Sequence, residues 1–174
     1  FITFEGIDGS GKSTQAKALA SSLKKNGVDN ILTREPGGSS GAEIIRKLLV
    51  EGDPSKWSPE TEMLLFTAAR RDHLEKTIEP GLREGKIVIS DRYVDSTRVY
   101  QGVTRGDLRQ TVDKLHNLMI SKEPDLTFII DMDPQEALYR GLARKSGEDR
   151  FEDFGLEFQL KLRNGFLAVS YTHL

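Results

Sequence analysis

The chain contains no cysteine, one tryptophan and three histidines among its 174 residues. The absence of cysteine excludes disulfides, thiolate metal sites and a cysteine nucleophile. It also fits a reducing compartment, so we expect a cytoplasmic protein. An excess of either charge is missing too, because 25 Lys and Arg stand against 27 Asp and Glu, for a formal net charge of −2. This balance argues against a protein that coats nucleic acid, and any anionic ligand must be held by local positive charge.

Long apolar runs are missing as well. Uninterrupted apolar stretches such as 128–130 are far shorter than the roughly 20 residues that a membrane helix requires. Hydrophobic residues make up 37% and charged residues 30% of the chain, a composition typical of a soluble globular domain. The first residue, Phe1, is not a methionine and already lies in a strand-like run, so we expect that the native N-terminus has been trimmed.

Apolar runs alternate with helical periods along the chain. Strands are predicted at 1–4, 31–33, 87–90 and 126–132. Helices are predicted at about 12–25, 42–50, 58–78, 95–100, 108–120 and 134–145. A parallel connection needs a crossover long enough to hold a helix, so this order predicts a parallel sheet with helices on both faces. We therefore expect a single three-layer α/β domain over residues 1–174.

Two of the predicted helices carry more specific signals. Ser58, Pro59 and Glu60 together indicate a helix start, since serine caps, proline fits the first position and glutamate favours the positive end of the dipole. Pro80 is expected to interrupt the helix that begins there. In the helix before it, the apolar side is formed by Ile44, Ile45, Leu48 and Leu49.

A glycine-rich loop directly after the first strand and before the first helix matches the pattern G-x-x-x-x-G-K-[ST]. Its glycines let backbone N–H groups point at phosphate oxygens, and the helix N-terminus adds partial positive charge. Lys12 would bridge the β- and γ-phosphates of a nucleotide, and Ser13 would offer its hydroxyl to Mg²⁺. We therefore expect a P-loop NTPase fold. The predicted ATP-binding residues are Gly6, Ile7, Asp8, Gly9, Ser10, Gly11, Lys12, Ser13 and Thr14.

The loop alone predicts nucleotide binding and no particular reaction. The guanine-reading stretch N-K-x-D does not occur in the sequence. A chain this short is more economically interpreted as a small-molecule phosphotransferase, whose acceptor must be fixed by residues elsewhere. Phe66 and Arg70 lie four apart on one helix face and could hold a base together. Asp91 and Arg92 follow the third strand, where they could serve the metal and a phosphate.

Six segments with recognisable patterns follow one another along the chain. They are F-E-G-I-D-G-S-G-K-S-T at 4–14, T-R-E-P-G-G at 33–38, F-T-A-A-R at 66–70, D-R-Y at 91–93 with Ser96, Y-Q-G at 100–102 and P-D-L-T at 124–127. Together they make the chain resemble the thymidylate kinase family from the first residue to about residue 169. The resemblance implies transfer of the γ-phosphoryl group of ATP to dTMP, giving dTDP and ADP for dTTP synthesis. It also implies Mg²⁺ and a homodimer, and no nucleic acid or membrane as a partner.

The resemblance further implies roles for single residues. Asp8 corresponds to the residue near the deoxyribose 3′-hydroxyl, Phe66 to the aromatic that stacks on thymine, and Glu35 to an acidic residue around the metal and phosphates. The residues implied to bind dTMP are Asp8, Glu35, Arg46, Phe66, Arg70, Arg92, Thr97, Tyr100 and Gln101. The metal is implied at Ser13 and Asp91. The implied catalytic residues are Lys12, Asp91, Arg92, Arg144 and Arg150.

Within the family a catalytic arginine lies either in the phosphate loop or in a lid. Gly9 stands where the loop arginine would be, so the resemblance implies the lid arrangement, with the lid at about 141–153. Arg144 and Arg150 are both candidates for stabilising the transferring phosphoryl group. A cationic lid that closes would also exclude water.

Two alternative functions remain open at this point. One is a related nucleoside-monophosphate or deoxynucleoside kinase, because Phe66 and Arg70 fix a base without defining it. The other is a non-catalytic nucleotide-binding module. The chain ends about one helix-and-strand unit earlier than the resemblance leads us to expect, so we expect a truncated C-terminus. His73, His116 and His173 show no catalytic spacing and are interpreted as structural or exposed.

Overall fold

The computed structural model describes residues 1–53, 56–104, 107–143 and 155–170. In this part of the chain, four strands form one parallel sheet in the order β2-β3-β1-β4. The strands are β1 at Ile2–Glu5, β2 at Asn30–Arg34, β3 at Ile87–Asp91 and β4 at Leu126–Ile129. β1 therefore has a neighbour on each side, and Ile2 is paired with both Ile89 and Leu126. The segment that follows β1 consequently starts from the interior of the sheet.

Helices fill the connections between the strands, as a parallel sheet requires. They are α1 at Lys12–Lys25, α2 at Ser40–Val50, α3 at Pro59–His73, α4 at Glu79–Arg83, α5 at Val94–Val99, α6 at Arg109–Met119, α7 at Pro134–Leu142 and α8 at Gly155–Ser170. None of them combines the length and the apolar character that a membrane crossing requires.

The core lies on both faces of the sheet. Val88 of β3 packs in one buried cluster with Leu74 and Val112, whereas its neighbour Ile89 packs in another with Ala16 of α1. Successive strand residues point to opposite faces, so helices cover both sides of β3. This confirms the predicted three-layer α/β fold.

The helix that begins after Ser58 starts as predicted and ends later. The Ser58 hydroxyl accepts a hydrogen bond from the Thr61 N–H at 3.2 Å, which is an N-cap. Pro80, however, does not interrupt the helical path: a π-helical turn at Leu74–Ile78 joins α3 to α4. The backbone hydrogen-bond pattern changes at this wider turn, so Pro80 lies in the first turn of α4. Proline has no backbone N–H, and at this position a helix does not need one.

Two more features differ from the sequence prediction: the end of the helix at α5 and the burial of α2. The helix at α5 continues into a second π-helical turn at Tyr100–Thr104, beyond the expected stop near Gly102. The apolar side of α2 is only partly buried, because Leu49 is inaccessible while Ile44 is 69% exposed. α2 packs against α3 through a face that includes Ala42 and Leu49, and this leaves Ile44 at the surface.

Candidate active site

The phosphate loop, residues 6–13, connects the end of β1 to the start of α1. Its backbone lies close to α7: a Cβ atom added to Gly9 would stand 1.9 Å from the carbonyl oxygen of Ala137. Gly9 also has a φ angle of +81°. Both the close approach and the left-handed conformation require glycine at this position.

Lys12 lies inside the loop rather than in solvent. Its ammonium group donates a hydrogen bond to the carbonyl oxygen of Ile7 at 2.6 Å. Burial, and then the positive charge of Arg92, lower the pKa of Lys12 to about 8. A bound polyphosphate would bring negative charge next to Lys12 and would therefore favour its protonated form.

Ser13 and Asp91 bring two oxygen ligands together beside the loop. The Ser13 hydroxyl donates a hydrogen bond to the Asp91 carboxylate at the end of β3. Mg²⁺ prefers hard oxygen ligands and is usually held by one or two carboxylates together with substrate phosphates and water. No group of three or more potential metal-ligating side chains occurs in the described ranges. The Ser13 and Asp91 oxygens fit a magnesium ion whose other ligands come from nucleotide phosphates and water.

A cavity of about 290 Å³ opens next to the loop. It is lined by Asp8, Lys12, Ser13, Arg34, Glu35, Pro36, Arg46, Val50, Phe66, Arg70, Asp91, Arg92, Tyr93, Ser96, Thr97, Tyr100 and Gln101. This lining contains every residue that the resemblance implies for dTMP binding, although these residues come from distant parts of the sequence. The cavity also adjoins Lys12 and Ser13, so an acceptor bound in it would lie beside the phosphates held by the loop.

One side of the cavity is built around Arg92. Its guanidinium group contacts the Asp8 carboxylate at 2.5 Å and the Ser96 hydroxyl at 2.8 Å. The Tyr100 hydroxyl donates to the other oxygen of Asp8 at 2.6 Å. Burial alone would raise the pKa of Asp8, but the charges of Arg92 and Lys12 outweigh it and hold the pKa well below its ordinary value. Asp8 is therefore a charged acceptor at neutral pH.

The opposite side is built around Arg70, which is buried on α3. Its Nε atom donates to Glu35 at 2.7 Å, and its Nη2 atom donates to the Tyr93 carbonyl oxygen at 3.1 Å and to the Thr97 hydroxyl at 3.0 Å. Within the described residues Nη1 has no hydrogen-bond partner. Arg70 is thus held rigidly, with one end available to a ligand.

Glu35 is engaged by two side chains at this end of the cavity. One carboxylate oxygen binds Arg70, and the other lies 3.0 Å from His73 Nδ1. The Nε2 atom of His73 lies 2.7 Å from the Thr33 hydroxyl. The structure therefore places the Glu35 carboxylate against Arg70, and His73 is a buried part of the same network.

Glu5 is a site residue that the sequence analysis missed. It is fully buried at the end of β1 and accepts hydrogen bonds from the Tyr93 N–H at 2.7 Å and the Ser96 hydroxyl at 2.6 Å. Burial, followed by the charge of Asp95, raises the pKa of Glu5 to about 7. Ser96 in turn accepts a hydrogen bond from Arg92. The sequence does contain a signal for Glu5: it is an acidic residue at the end of an apolar strand, directly before the phosphate loop.

The structure describes neither of the predicted lid arginines, and it places part of the phosphate loop away from the cavity wall. Arg144 and Arg150 lie outside the described residues, as does most of the predicted lid. The remaining loop residues support the turn rather than the cavity wall, and Ile7 packs in the core together with Phe166. The described site thus contains the acceptor cavity and the phosphate loop.

Several known proteins are similar to this chain, and those given below are all described as thymidylate kinases. A family model described as thymidylate kinase matches residues 4–173. A thymidylate kinase from Dinoroseobacter shibae is 73% identical over 169 residues, which cover 97% of this chain and 82% of that protein. Another from Ruegeria pomeroyi is 65% identical over 175 residues, covering 99% of this chain and 83% of that protein. A crystal structure of thymidylate kinase from Ehrlichia chaffeensis has a TM-score of 0.70 at 40% identity, covering 99% of this chain and 96% of that one.

Proposed function

The chain belongs to the thymidylate kinase family of ATP-dependent nucleoside-monophosphate kinases, and we propose that dTMP accepts the γ-phosphoryl group in the cavity beside the phosphate loop. A phosphate oxygen of dTMP forms a bond to the γ-phosphorus of ATP. The bond from that phosphorus to the β–γ bridging oxygen breaks, and ADP leaves with the oxygen. The observation that carries this proposal is the position of a base-sized cavity, containing Phe66 and Arg70, directly against Lys12 of the loop.

The proposed ATP site is the phosphate loop, residues 6–14. Backbone N–H groups of the turn and the α1 N-terminus would bind phosphate oxygens. Lys12 would leave the Ile7 carbonyl oxygen and bind the β- and γ-phosphates, where its positive charge offsets the charge that develops during transfer. Because its pKa is about 8 without ligand, phosphate binding would also favour the protonated form.

Mg²⁺ is a proposed cofactor, with Ser13 and Asp91 as the residues that would hold it. When bound, the ion neutralises the polyphosphate and aligns the phosphoryl group for transfer. The hydrogen bond between Ser13 and Asp91 keeps both oxygens at the loop and orients them in advance.

The acceptor would bind with its base at the Arg70 end and its phosphate at the Arg92 end. Phe66 is half-buried on the cavity wall and presents a ring on which thymine would stack. Arg46 and Arg92 supply positive charge for the acceptor phosphate. Asp8 and Tyr100, joined by a hydrogen bond, would contact the sugar.

Catalysis is proposed to rest on positive charge around the transferring group. Lys12 and Arg92 act from the described site, and Asp91 acts through the metal position. Arg144 or Arg150 would complete the set from the lid, which would also exclude water from the reaction.

A coupled ADP-release assay with ATP, Mg²⁺ and dTMP tests the function directly. The expected result is ADP release that requires dTMP and is much slower with dCMP, dGMP or thymidine. Faster release with thymidine than with dTMP would contradict phosphorylation of a monophosphate. ADP release that is independent of any acceptor would contradict a kinase.

A homodimer is also proposed, through a surface formed by α2, α3 and α6. α3 packs against the other two helices, and this surface carries large exposed apolar side chains, among them Leu64 and Leu118, which is 78% exposed. Apolar patches of this kind mark protein interfaces. Light scattering should give a dimer that Leu64→Glu converts to a monomer, and a wild-type monomer would contradict the proposal.

A cytoplasmic location remains a separate proposal, to be tested by cell fractionation.

A further inference from the structure

A buried carboxylate that the mechanism does not use lies behind the acceptor cavity. Glu62, on α3, is fully buried, and so is Gln101 in the π-helical turn after α5. Gln101 Nε2 donates a hydrogen bond to Glu62 Oε2 at 3.0 Å. Gln101 lines the cavity, and its Oε1 atom has no hydrogen-bond partner among the described residues.

The contact with Glu62 decides which end of the Gln101 amide is left for a ligand. A glutamine side chain has a donating NH₂ group and an accepting carbonyl oxygen, and either could face the cavity. In the structure the Glu62 Oε2 atom accepts its hydrogen bond from the NH₂ group of this amide. Glu62 therefore binds the NH₂ group and leaves Oε1 without a partner, and a buried acceptor without a partner favours a ligand that donates a hydrogen bond.

Arg70 supplies the complementary group on the same cavity wall. Its guanidinium group can only donate, and Nη1 is the end without a partner in the described part of the chain. Thr97, which binds Arg70, lies four residues before Gln101. The cavity lining thus contains both a donor and an acceptor. An imide base edge, with a carbonyl oxygen beside a ring N–H, matches this pair.

A cytosine edge does not match it. Cytosine presents an amino group and a bare ring nitrogen, so a donor would face Arg70 and an acceptor would face Gln101 Oε1. Unmatched buried polar groups are a strong source of discrimination between substrates. The orientation of one amide therefore decides between the two pyrimidines.

We propose that Glu62 is a positioning residue that selects an imide base by fixing the orientation of the Gln101 amide. Glu62 acts through Gln101 and does not itself contact the substrate. The inference rests on the proposed acceptor site, because it requires that the base binds at the Arg70 end of the cavity.

Glu62→Gln is the direct test. The new amide can accept or donate, so Gln101 is free to turn over. We expect kcat/KM for dTMP and dUMP to fall together and the preference for dTMP over dCMP to fall by about tenfold or more. Glu60→Gln is the matched control, since Glu60 is exposed on the first turn of the same helix and should leave both acceptors unchanged. Equal losses for dTMP and dCMP in Glu62→Gln would overturn the proposal.

A substrate analogue gives a second test that does not depend on the folding of a variant. In 3-deaza-dUMP a carbon replaces the ring N–H and the base becomes a 4-hydroxy-2-pyridone, so its edge no longer offers the imide pair of a carbonyl acceptor and a ring N–H donor. The wild-type protein should bind this analogue about tenfold or more weakly than dUMP, and equal binding would overturn the inference. Absence of dTMP turnover in the wild type would overturn the proposed function as well. Normal wild-type turnover with unchanged selectivity in Glu62→Gln would overturn this inference alone.

Discussion

The two halves of the active site are built in different ways. The phosphate loop is one continuous segment whose shape is set by its backbone, between β1 and α1. The acceptor cavity is assembled from separate segments and is held by two ion pairs, Arg70 with Glu35, which is buried, and Arg92 with Asp8, which is partly exposed. Lys12 of the loop makes one hydrogen bond to the backbone and can serve the ligand with little effect on the fold, whereas Arg70 of the cavity also supports the fold. We therefore expect that the loop lysine can be mutated with a loss of catalysis and little change in the free energy of unfolding. In the acceptor cavity, a mutation should change both.

The largest expected effect is on catalysis, in the loop. Lys12→Ala should lower kcat by at least about 10²–10³-fold, since it removes a charge that stabilises the transferring phosphoryl group. The melting temperature should change little, because the lost hydrogen bond is a single contact to the Ile7 carbonyl oxygen. Turnover assays and thermal unfolding of the same preparation would check both. Near-normal turnover would remove Lys12 from the proposed mechanism.

Arg70→Ala, in the cavity, should lower both the stability of the protein and the binding of the acceptor, in contrast to Lys12→Ala. It leaves the buried Glu35 carboxylate without its cation, which costs about 3–5 kcal/mol of unfolding free energy, and it also removes a base contact. Arg83→Ala is the control, because Arg83 is 67% exposed in its pair with Glu79 and such pairs contribute about 0.3–0.5 kcal/mol. Urea unfolding measures both variants. Equal stabilities would mean that the Arg70 ion pair does not hold the cavity.

Glu5 should make stability depend on pH. Its pKa is raised from 4.5 to about 7 in the folded protein, so between these values the folded state binds more protons than the unfolded state. Stability therefore falls as pH rises through this window, by up to roughly 3 kcal/mol. Glu5→Gln should lose this part of the dependence, and urea unfolding at pH 5 and pH 8 would reveal it. The exposed Glu60→Gln variant should keep the wild-type slope; an identical slope in Glu5→Gln would refute the assignment.

The smallest of these effects is expected at the cavity wall. Phe66→Ala should weaken dTMP binding by about 1–3 kcal/mol through loss of stacking and leave ATP binding unchanged. Calorimetric titration with each nucleotide separates the two. Unchanged affinity for dTMP would place Phe66 among the packing residues instead.

The sequence predicted the loop half more fully than the cavity half. The pattern at residues 6–13 is local, so strand, turn and helix follow from neighbouring residues, and α1 spans Lys12–Lys25 as expected. Helix spacing and strand ends suggested some of the cavity residues, among them Phe66, Arg70 and Arg92, and the resemblance of separate motifs supplied the others. Their contacts join residues far apart in the chain, such as Glu35 with His73, and no local period contains that information.

Helix geometry explains other differences between prediction and structure. A π-helical turn adds a residue to one turn of helix, and apolar periodicity gives no sign of it. Two such turns, at Leu74–Ile78 and Tyr100–Thr104, account for the continuation past Pro80 and for the position of Gln101. Glu5 was missed for a related reason, since burial of a charge depends on what the fold places around it.

The contact between Gly9 and α7 also limits how this protein can evolve. An arginine at position 9 would require a left-handed backbone angle, φ +81°, and a Cβ atom 1.9 Å from the Ala137 carbonyl oxygen. A loop arginine at position 9 is therefore not available to this chain by one mutation. α7 must first move away, and that displacement gives no advantage until the second change occurs. A loop arginine in this protein would thus need at least two coupled changes, one that moves α7 and one at position 9.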